Sequence, residues 1–167
     1  MTSEIYWIND PAIGEKKIGT MARPRGDDWL EDEIKGLKLQ QVDCLISLLE
    51  WSEIDELALQ EEEAFCKKWE IEFINFPIED VTVPNQETPF IQLTQRILDR
   101  INQNKKVVIH CRAGIGRSSI LAAAVLIKAG FKVATVFEVI ATYRKSRVPD
   151  TEEQKAWIFS LKEKLKP

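Results

Sequence analysis

Apolar positions along the chain alternate between short dense runs and stretches with helical spacing. Val42-Asp-Cys-Leu-Ile-Ser-Leu-Leu49 is nearly continuous in its apolar content, which predicts a strand covered on both faces. Ile71-Glu-Phe-Ile-Asn-Phe76 and Lys105-Lys-Val-Val-Ile-His110 predict two more strands, and Ile5–Ile8 and Lys17–Met21 two short ones. Helical spacing predicts helices over Trp29 to about Leu39, with Asp28 as a candidate cap, and over Ser52–Ala58 and Glu61–Trp69. A further helix carries apolar positions 90, 91, 93, 97, 98 and 101, and three more close the chain at about Arg117–Ala129, Val133–Ser146 and Thr151–Lys164. Arg23-Pro-Arg-Gly-Asp-Asp28 reads as a polar turn, and the proline-rich stretch Pro77–Pro89 as a loop. Strands with apolar cores alternating with helices predict the α/β class: a mostly parallel central sheet flanked by helices on both faces.

Composition narrows this picture. The 167 residues suit a single domain, residues 1–167, because no repeat or Gly/Ser linker interrupts them. Hydrophobic residues at 44% and charged residues at 30% fit a folded globular chain rather than a disordered one. The longest apolar stretch, Ile120–Ile127, is too short to cross a bilayer. The opening Met1-Thr-Ser-Glu-Ile-Tyr-Trp7 reads as structure rather than as a leader, so a cytoplasmic location and no membrane partner are expected.

Three cysteines, Cys44, Cys66 and Cys111, do not make a disulfide framework. One histidine, His110, and no C-x2-C pair argue against a structural metal, so no metal and no cofactor are expected. Cys44 lies in a predicted strand and reads as a small core residue. A net charge of −4 argues against a nucleic-acid partner. The charge is uneven: residues 1–104 hold 10 Lys/Arg against 22 Asp/Glu, and residues 105–167 hold 13 against 5. An anion site is therefore better placed in the last third, although solvated helix faces alone can produce such a skew.

The chemistry concentrates in His110-Cys-Arg-Ala-Gly-Ile-Gly-Arg-Ser118, between a predicted strand and an apolar helix. A loop curling into a helix N-terminus supplies a concave set of N–H donors and the favourable end of the helix dipole. Gly114 and Gly116 permit backbone angles that side chains oppose. Arg117 offers a planar fork for two phosphate oxygens. Cys111 at the mouth of such a nest would be favoured as thiolate, and Ser118 can donate to its sulfur. The Cys-x5-Arg spacing alone arises by chance in roughly one such sequence in seven, so the conjunction carries the argument. A nucleotide P-loop is excluded because Arg117, not Lys, follows Gly116; a dinucleotide fingerprint is excluded because position 119 is Ser.

These nine residues resemble the signature loop of the protein tyrosine phosphatase superfamily, His-Cys-x5-Arg-Ser/Thr, in its dual-specificity-like branch. Pro77-Ile-Glu-Asp-Val-Thr-Val-Pro84 is similar to that family's general-acid loop. Val42–Glu50 resembles the strand and turn after the first helix, and Arg144-Lys-Ser-Arg147 with Pro149 and Gln154 resembles a motif behind the signature loop. The likeness extends over most of residues 20–160. It implies a phosphatase-like fold with the signature loop between strand and helix. It further implies that Cys111 attacks phosphorus to form a cysteinyl-phosphate. Arg117 and the backbone of Arg112, Ala113, Gly114, Ile115 and Gly116 would hold the phosphate, and Ser118 would ease departure of the sulfur. Asp80 would protonate the leaving oxygen and then help activate water, with Glu79 and Glu87 as nearby competitors. His110 reads as an orienting side chain.

Arg144 and Arg147 stand between this motif and simple solvent-facing roles, and Arg23 and Arg25 read first as parts of a surface turn. Ser119 departs from the glycine common at that position. No counterpart of the aromatic substrate-recognition loop of the larger tyrosine-specific enzymes is found. A shallower cleft follows, open to phosphoserine and phosphothreonine as well as phosphotyrosine. Apolar Ile115 disfavours a highly charged inositide, while Arg112 keeps one in play. The expected function is a metal-independent protein phosphatase acting on a phosphorylated protein or peptide as a monomer. The alternatives are a phosphoinositide or small-molecule phosphatase of the same mechanism, a non-catalytic phospho-binding module, and a thiol enzyme such as an arsenate reductase or sulfurtransferase.

Overall fold

The computed structural model describes residues 3–167; Met1 and Thr2, the start of the segment read as structured rather than as a leader, lie outside them. Five strands form one sheet in the order β1-β2-β5-β3-β4. The strands are β1 (Tyr6–Trp7), β2 (Ile18–Ala22), β3 (Cys44–Ser47), β4 (Glu72–Asn75) and β5 (Val107–Cys111). All neighbours are parallel except β1, which adds antiparallel to the edge through Tyr6↔Thr20 and Trp7↔Gly19. The helices are α1 (Leu30–Leu39), α2 (Trp51–Glu56), α3 (Glu62–Lys68), α4 (Glu87–Asn102), α5 (Arg117–Lys128), α6 (Val136–Arg144) and α7 (Glu152–Ser160).

Side-chain alternation along the strands sorts the core into two layers. Ile46, Val107, Ile109 and Cys111 face one way and pack with α4, α5, α6 and α7. Leu45, Leu49 and Val108 face the other way, against α1 and α3. Cys111 therefore points toward α5, while the adjacent His110 belongs to the opposite face. α5 is buried from Arg117 to Ile127, which accounts for its apolar character on every side. Its alanines at 122–124 let the sheet and neighbouring helices approach closely.

The boundaries differ from the sequence expectation in instructive ways. Asp28 does not cap α1: Asp27–Trp29 form a single 3₁₀ turn after Gly26, and no side chain accepts a capping bond there. α4 starts at Glu87, so Pro89 lies in its first turn rather than in the loop, a place where its missing N–H costs nothing. β5 extends one residue past His110, making Cys111 the last strand residue. α7 is stopped at Ser160 and begins with a capping box between Thr151 and Gln154.

Candidate active site

The carboxyl ends of β3, β4 and β5 converge, and the segments leaving them build the site, where parallel sheets place ligands. From β5 the chain passes through residues 112–116 into α5. Gly114 adopts φ +70°, and a β-carbon there would come within 2.6 Å of Met21 backbone, so the residue must be glycine on both counts. Among the described residues, no acceptor exists for the backbone N–H groups of Arg112 to Gly116. Arg144 explains their orientation. Its Nε donates to the Gly114 carbonyl at 2.8 Å and its Nη2 to the Ala113 carbonyl at 3.1 Å. Drawing those carbonyls outward turns the amides of the same peptide planes to the opposite side. The Arg144 guanidinium in turn lies 4.0 Å over the ring of Tyr6 on β1.

Cys111 and Ser118 are brought together: Sγ and Oγ are 3.4 Å apart, within hydrogen-bonding reach. Arg117 is 1% exposed and is clamped by a residue the sequence reading missed. Its Nη1 and Nη2 donate to Glu53 Oε2 and Oε1 at 2.7 and 2.9 Å, and Nη1 also reaches the Ile78 carbonyl at 2.8 Å. Burial pushes the Glu53 carboxyl up, but the Arg117 hydrogen bond, the Glu50 N–H and the charges of Arg117 and Arg112 outweigh it, and the group titrates below its usual value. Burial opposes the Arg117 charge, yet the Glu53 hydrogen bond and the Cys111 sulfur hold its pKa up. Arg117 Nε is buried and has no acceptor, so one edge of the guanidinium keeps an unused donor. A buried N–H of this kind is costly unless an anion completes it.

Asp80 sits on the same guanidinium, with Oδ1 at 3.0 Å from Arg117 Nη2, while its own side chain is 48% exposed. Of its competitors, Glu87 is paired with Lys164 across the molecule and Glu79 is exposed. The residue after Asp80, Val81, has φ +55°, a strained setting for a β-branched side chain. His110 is fully buried, and its Nε2 lies 2.6 Å from Glu62 Oε1 on α3. Its ring thus lies on the sheet face opposite the sulfur, with Nδ1 3.4 Å from the Cys111 carbonyl oxygen. Arg112 is held at the mouth by Glu56 at 3.0 Å and Glu53 at 3.8 Å. Ala113 is exposed, and Ile115 is half-buried against the core.

A sequence profile of the dual specificity phosphatase catalytic domain matches residues 40–164, three-quarters of the chain. The chain belongs to that family. No curated protein matches its sequence, whereas many solved structures match its fold. A kinase associated phosphatase, KAP, crystallised with its catalytic cysteine replaced by serine, is 16% identical with a TM-score of 0.89, covering 99% of this chain and 97% of its own. Tk-PTP in its active form is 23% identical at 0.76, covering 95% and 96%. PTPMT1 in complex with PI(5)P is 22% identical at 0.75, covering 90% and 92%.

Within this dual-specificity phosphatase fold the remaining sequence candidates sort out clearly. Arg144 lies behind the signature loop and binds it, whereas Arg147 is exposed and pairs with Glu152 at 3.7 Å. Gln154 is buried; its Oε1 accepts from the N–H groups of Asp150 and Thr151, and its Nε2 donates to the Thr82 carbonyl in the loop that carries Asp80. Arg25 pairs with Glu33 at 2.8 Å and stacks over Trp29, away from the loop. Arg23 donates its backbone N–H to the Arg112 carbonyl, which places it at the mouth. Five neighbours of the loop were missed: Glu53, Glu56, Glu62, Tyr6 and Asp150. Glu53 alone left a signal, as the third residue of a helix opened by Glu50, directly after the β3 strand. The pairings of Glu62 and Tyr6 arise from tertiary packing and leave no local pattern. No group of three or more metal-ligating residues gathers among the described residues, and no helix is long and apolar enough to cross a membrane.

Proposed function

We propose that this chain is a cysteine-dependent protein phosphatase that hydrolyses phosphotyrosine, and phosphoserine or phosphothreonine as well, through a phosphate bound covalently to Cys111. The reading is carried by the run of unpaired amides from Arg112 to Gly116, closing on the Cys111 sulfur and on the free Nε edge of Arg117. Such a nest fits the equatorial oxygens of a phosphoryl group and strengthens its hold as charge develops in the transition state. The thiolate attacks phosphorus in line, and the P–O bond to the substrate breaks. Asp80, released from Arg117 when phosphate takes its place, takes up a proton from solvent and gives it to the leaving oxygen. Water then attacks phosphorus, and Sγ leaves with the bonding electrons, stabilised by the Ser118 hydroxyl.

A protein substrate suits the mouth better than a polyanionic headgroup, because Arg112, one of the two arginines there, is already neutralised by Glu56 and Glu53. A cytosolic setting goes with this reading, since the nucleophile works only while its thiol is reduced. The direct test is a panel of phosphotyrosine and phosphothreonine peptides and phosphoinositides, offered to the wild type, to Cys111→Ser, and to Asp80→Ala as a substrate trap. Phosphate release from peptides that vanadate blocks and Cys111→Ser abolishes is expected. Equal turnover by Cys111→Ser would refute the mechanism, and release confined to the inositides would reassign the substrate.

A further inference from the structure

The site contains a second carboxylate that the phosphatase reading above does not use. Asp150 lies in the turn between α6 and α7, two residues before the helix that begins at Glu152. Its carboxylate stands so close to the signature loop that a β-carbon at Gly116 would collide with its Oδ2. The second glycine of the loop has φ −89°, open to any residue, so it is the neighbouring acid rather than backbone geometry that favours glycine there. Gln154 fixes the turn: it accepts from the Asp150 N–H at 3.0 Å and reaches across to the Thr82 carbonyl at 3.1 Å. One amide thus ties Asp150 to the Asp80 loop. The Asp150 side chain is exposed and, among the described residues, has no hydrogen bond or ion pair of its own. Asp80, in contrast, is engaged with Arg117.

We propose that Asp150 is the base of the second step, taking the proton from the water that hydrolyses the Cys111 phosphoenzyme. This rests on the phosphatase reading and divides between two carboxylates what the family resemblance gives to Asp80 alone. In the step, a water O–H bond breaks and its proton passes to an Asp150 oxygen. The water oxygen bonds to phosphorus, and the P–S bond breaks with its electron pair returning to Cys111 Sγ. Inorganic phosphate leaves, and Asp150 gives its proton to solvent. Although the residue is exposed at its outer side, the carboxylate is pressed against Gly116 and partly withdrawn from water; this, followed by the nearby Asp80 charge, raises the Asp150 pKa, and Arg117 only partly offsets it. The timing is favourable. Asp80 becomes a carboxylate when it protonates the leaving group, and its new charge makes Asp150 more basic just as a base is needed.

The experiment is rapid-mixing kinetics with para-nitrophenyl phosphate on the wild type, Asp150→Asn, Asp150→Glu and Asp80→Asn, with acid-quenched protein weighed by mass spectrometry for phosphate on Cys111. Asparagine keeps the shape and the hydrogen bonding but cannot take a proton. For Asp150→Asn a stoichiometric burst of nitrophenol is expected, followed by steady turnover slowed by about 10²-fold, with the phosphoenzyme accumulating. Asp150→Glu should restore much of that turnover, and Asp80→Asn should slow formation of the phosphoenzyme without a burst. Turnover of Asp150→Asn within about twofold of wild type would overturn the proposal. So would a slowed rate with no phosphoenzyme, whether from misfolding or from a fault in the first step. If the wild type released no nitrophenol, the phosphatase reading itself would fall; if wild type turned over normally, only the assignment of the second step would be at stake.

Discussion

The two ends of the parallel sheet hold the same three residue types in different states. At the amino end of β3, Cys44 lies beside Glu72 and Arg100, whose ion pair is doubly hydrogen-bonded at 2.9 and 3.0 Å. At the carboxyl end of β5, Cys111 lies beside Arg117, doubly bonded to Glu53 at 2.7 and 2.9 Å. A cysteine, an arginine and a glutamate alone therefore do not make a site. Cys44 has its backbone N–H bound to the Lys106 carbonyl, and burial, with Glu72 adding to it, pushes its thiol up to about 12. Burial pushes the Cys66 thiol up as well. After Cys111 the chain leaves its ladder, the next five amides have no acceptor among the described residues, and a helix begins at Arg117. The arginines differ too: the Glu72–Arg100 pair is about one-third exposed on each side, whereas Arg117 is buried with a donor unused. The lesson is that unsatisfied donors, rather than the residue types, distinguish the two ends.

Replacing each cysteine tests that contrast most severely. Cys111→Ser should lower para-nitrophenyl phosphate hydrolysis by about 10⁴-fold or more, while Cys44→Ser should keep it within about twofold. Comparable losses in steady-state assays of the two would erase the distinction. Next in size is Asp80→Asn, which should slow turnover by about 10²–10⁴-fold on substrates with poor leaving groups, and less on nitrophenyl phosphate. A rate independent of the leaving group would remove Asp80 from the role of acid.

The two glutamates sharpen the comparison through stability. Glu53→Gln leaves a buried guanidinium without its buried charge partner, with only the half-exposed Asp80 beside it, and should cost about 3–5 kcal/mol in urea unfolding, whereas Glu72→Gln should cost about 0–1 kcal/mol. The pH dependence follows from sign. The Glu53 carboxyl is held below its ordinary value of 4.5, so its contribution is fully present above that value and is lost as pH falls through the lowered one. Glu53→Gln should lack this acidic limb; an unchanged unfolding profile from pH 6 to 3 would contradict the pairing. The smallest effect is expected from Arg144→Gln, which frees the Ala113 and Gly114 carbonyls and should lower kcat/KM by about tenfold. Because Lys cannot bond both carbonyls in one plane, Arg144→Lys should recover only part of it.

The signature segment was readable from the sequence because its chemistry is local. Cys111, Gly114, Gly116, Arg117 and Ser118 lie within eight residues, and strand, loop and helix follow from hydrophobic spacing on either side. The α/β class was readable for the same reason, since period 2 and period 3.6 are properties of neighbouring positions. Asp80, the proposed acid, was named through resemblance alone, because one acid beside a turn has no distinctive pattern; the structure places it on Arg117. Tertiary structure alone decided that Glu53 clamps Arg117 from 64 residues away, that Arg144 holds the loop from 30 residues away, and that Glu62 meets His110 from 48 residues away. These partners are selected by which strand ends are adjacent in the order β1-β2-β5-β3-β4, and no short-range periodicity encodes that order. The sequence by itself determined where the donors for an anion would lie. The fold decided which carboxylates stand beside them, because a buried charge is tolerated only where a distant part of the chain completes it.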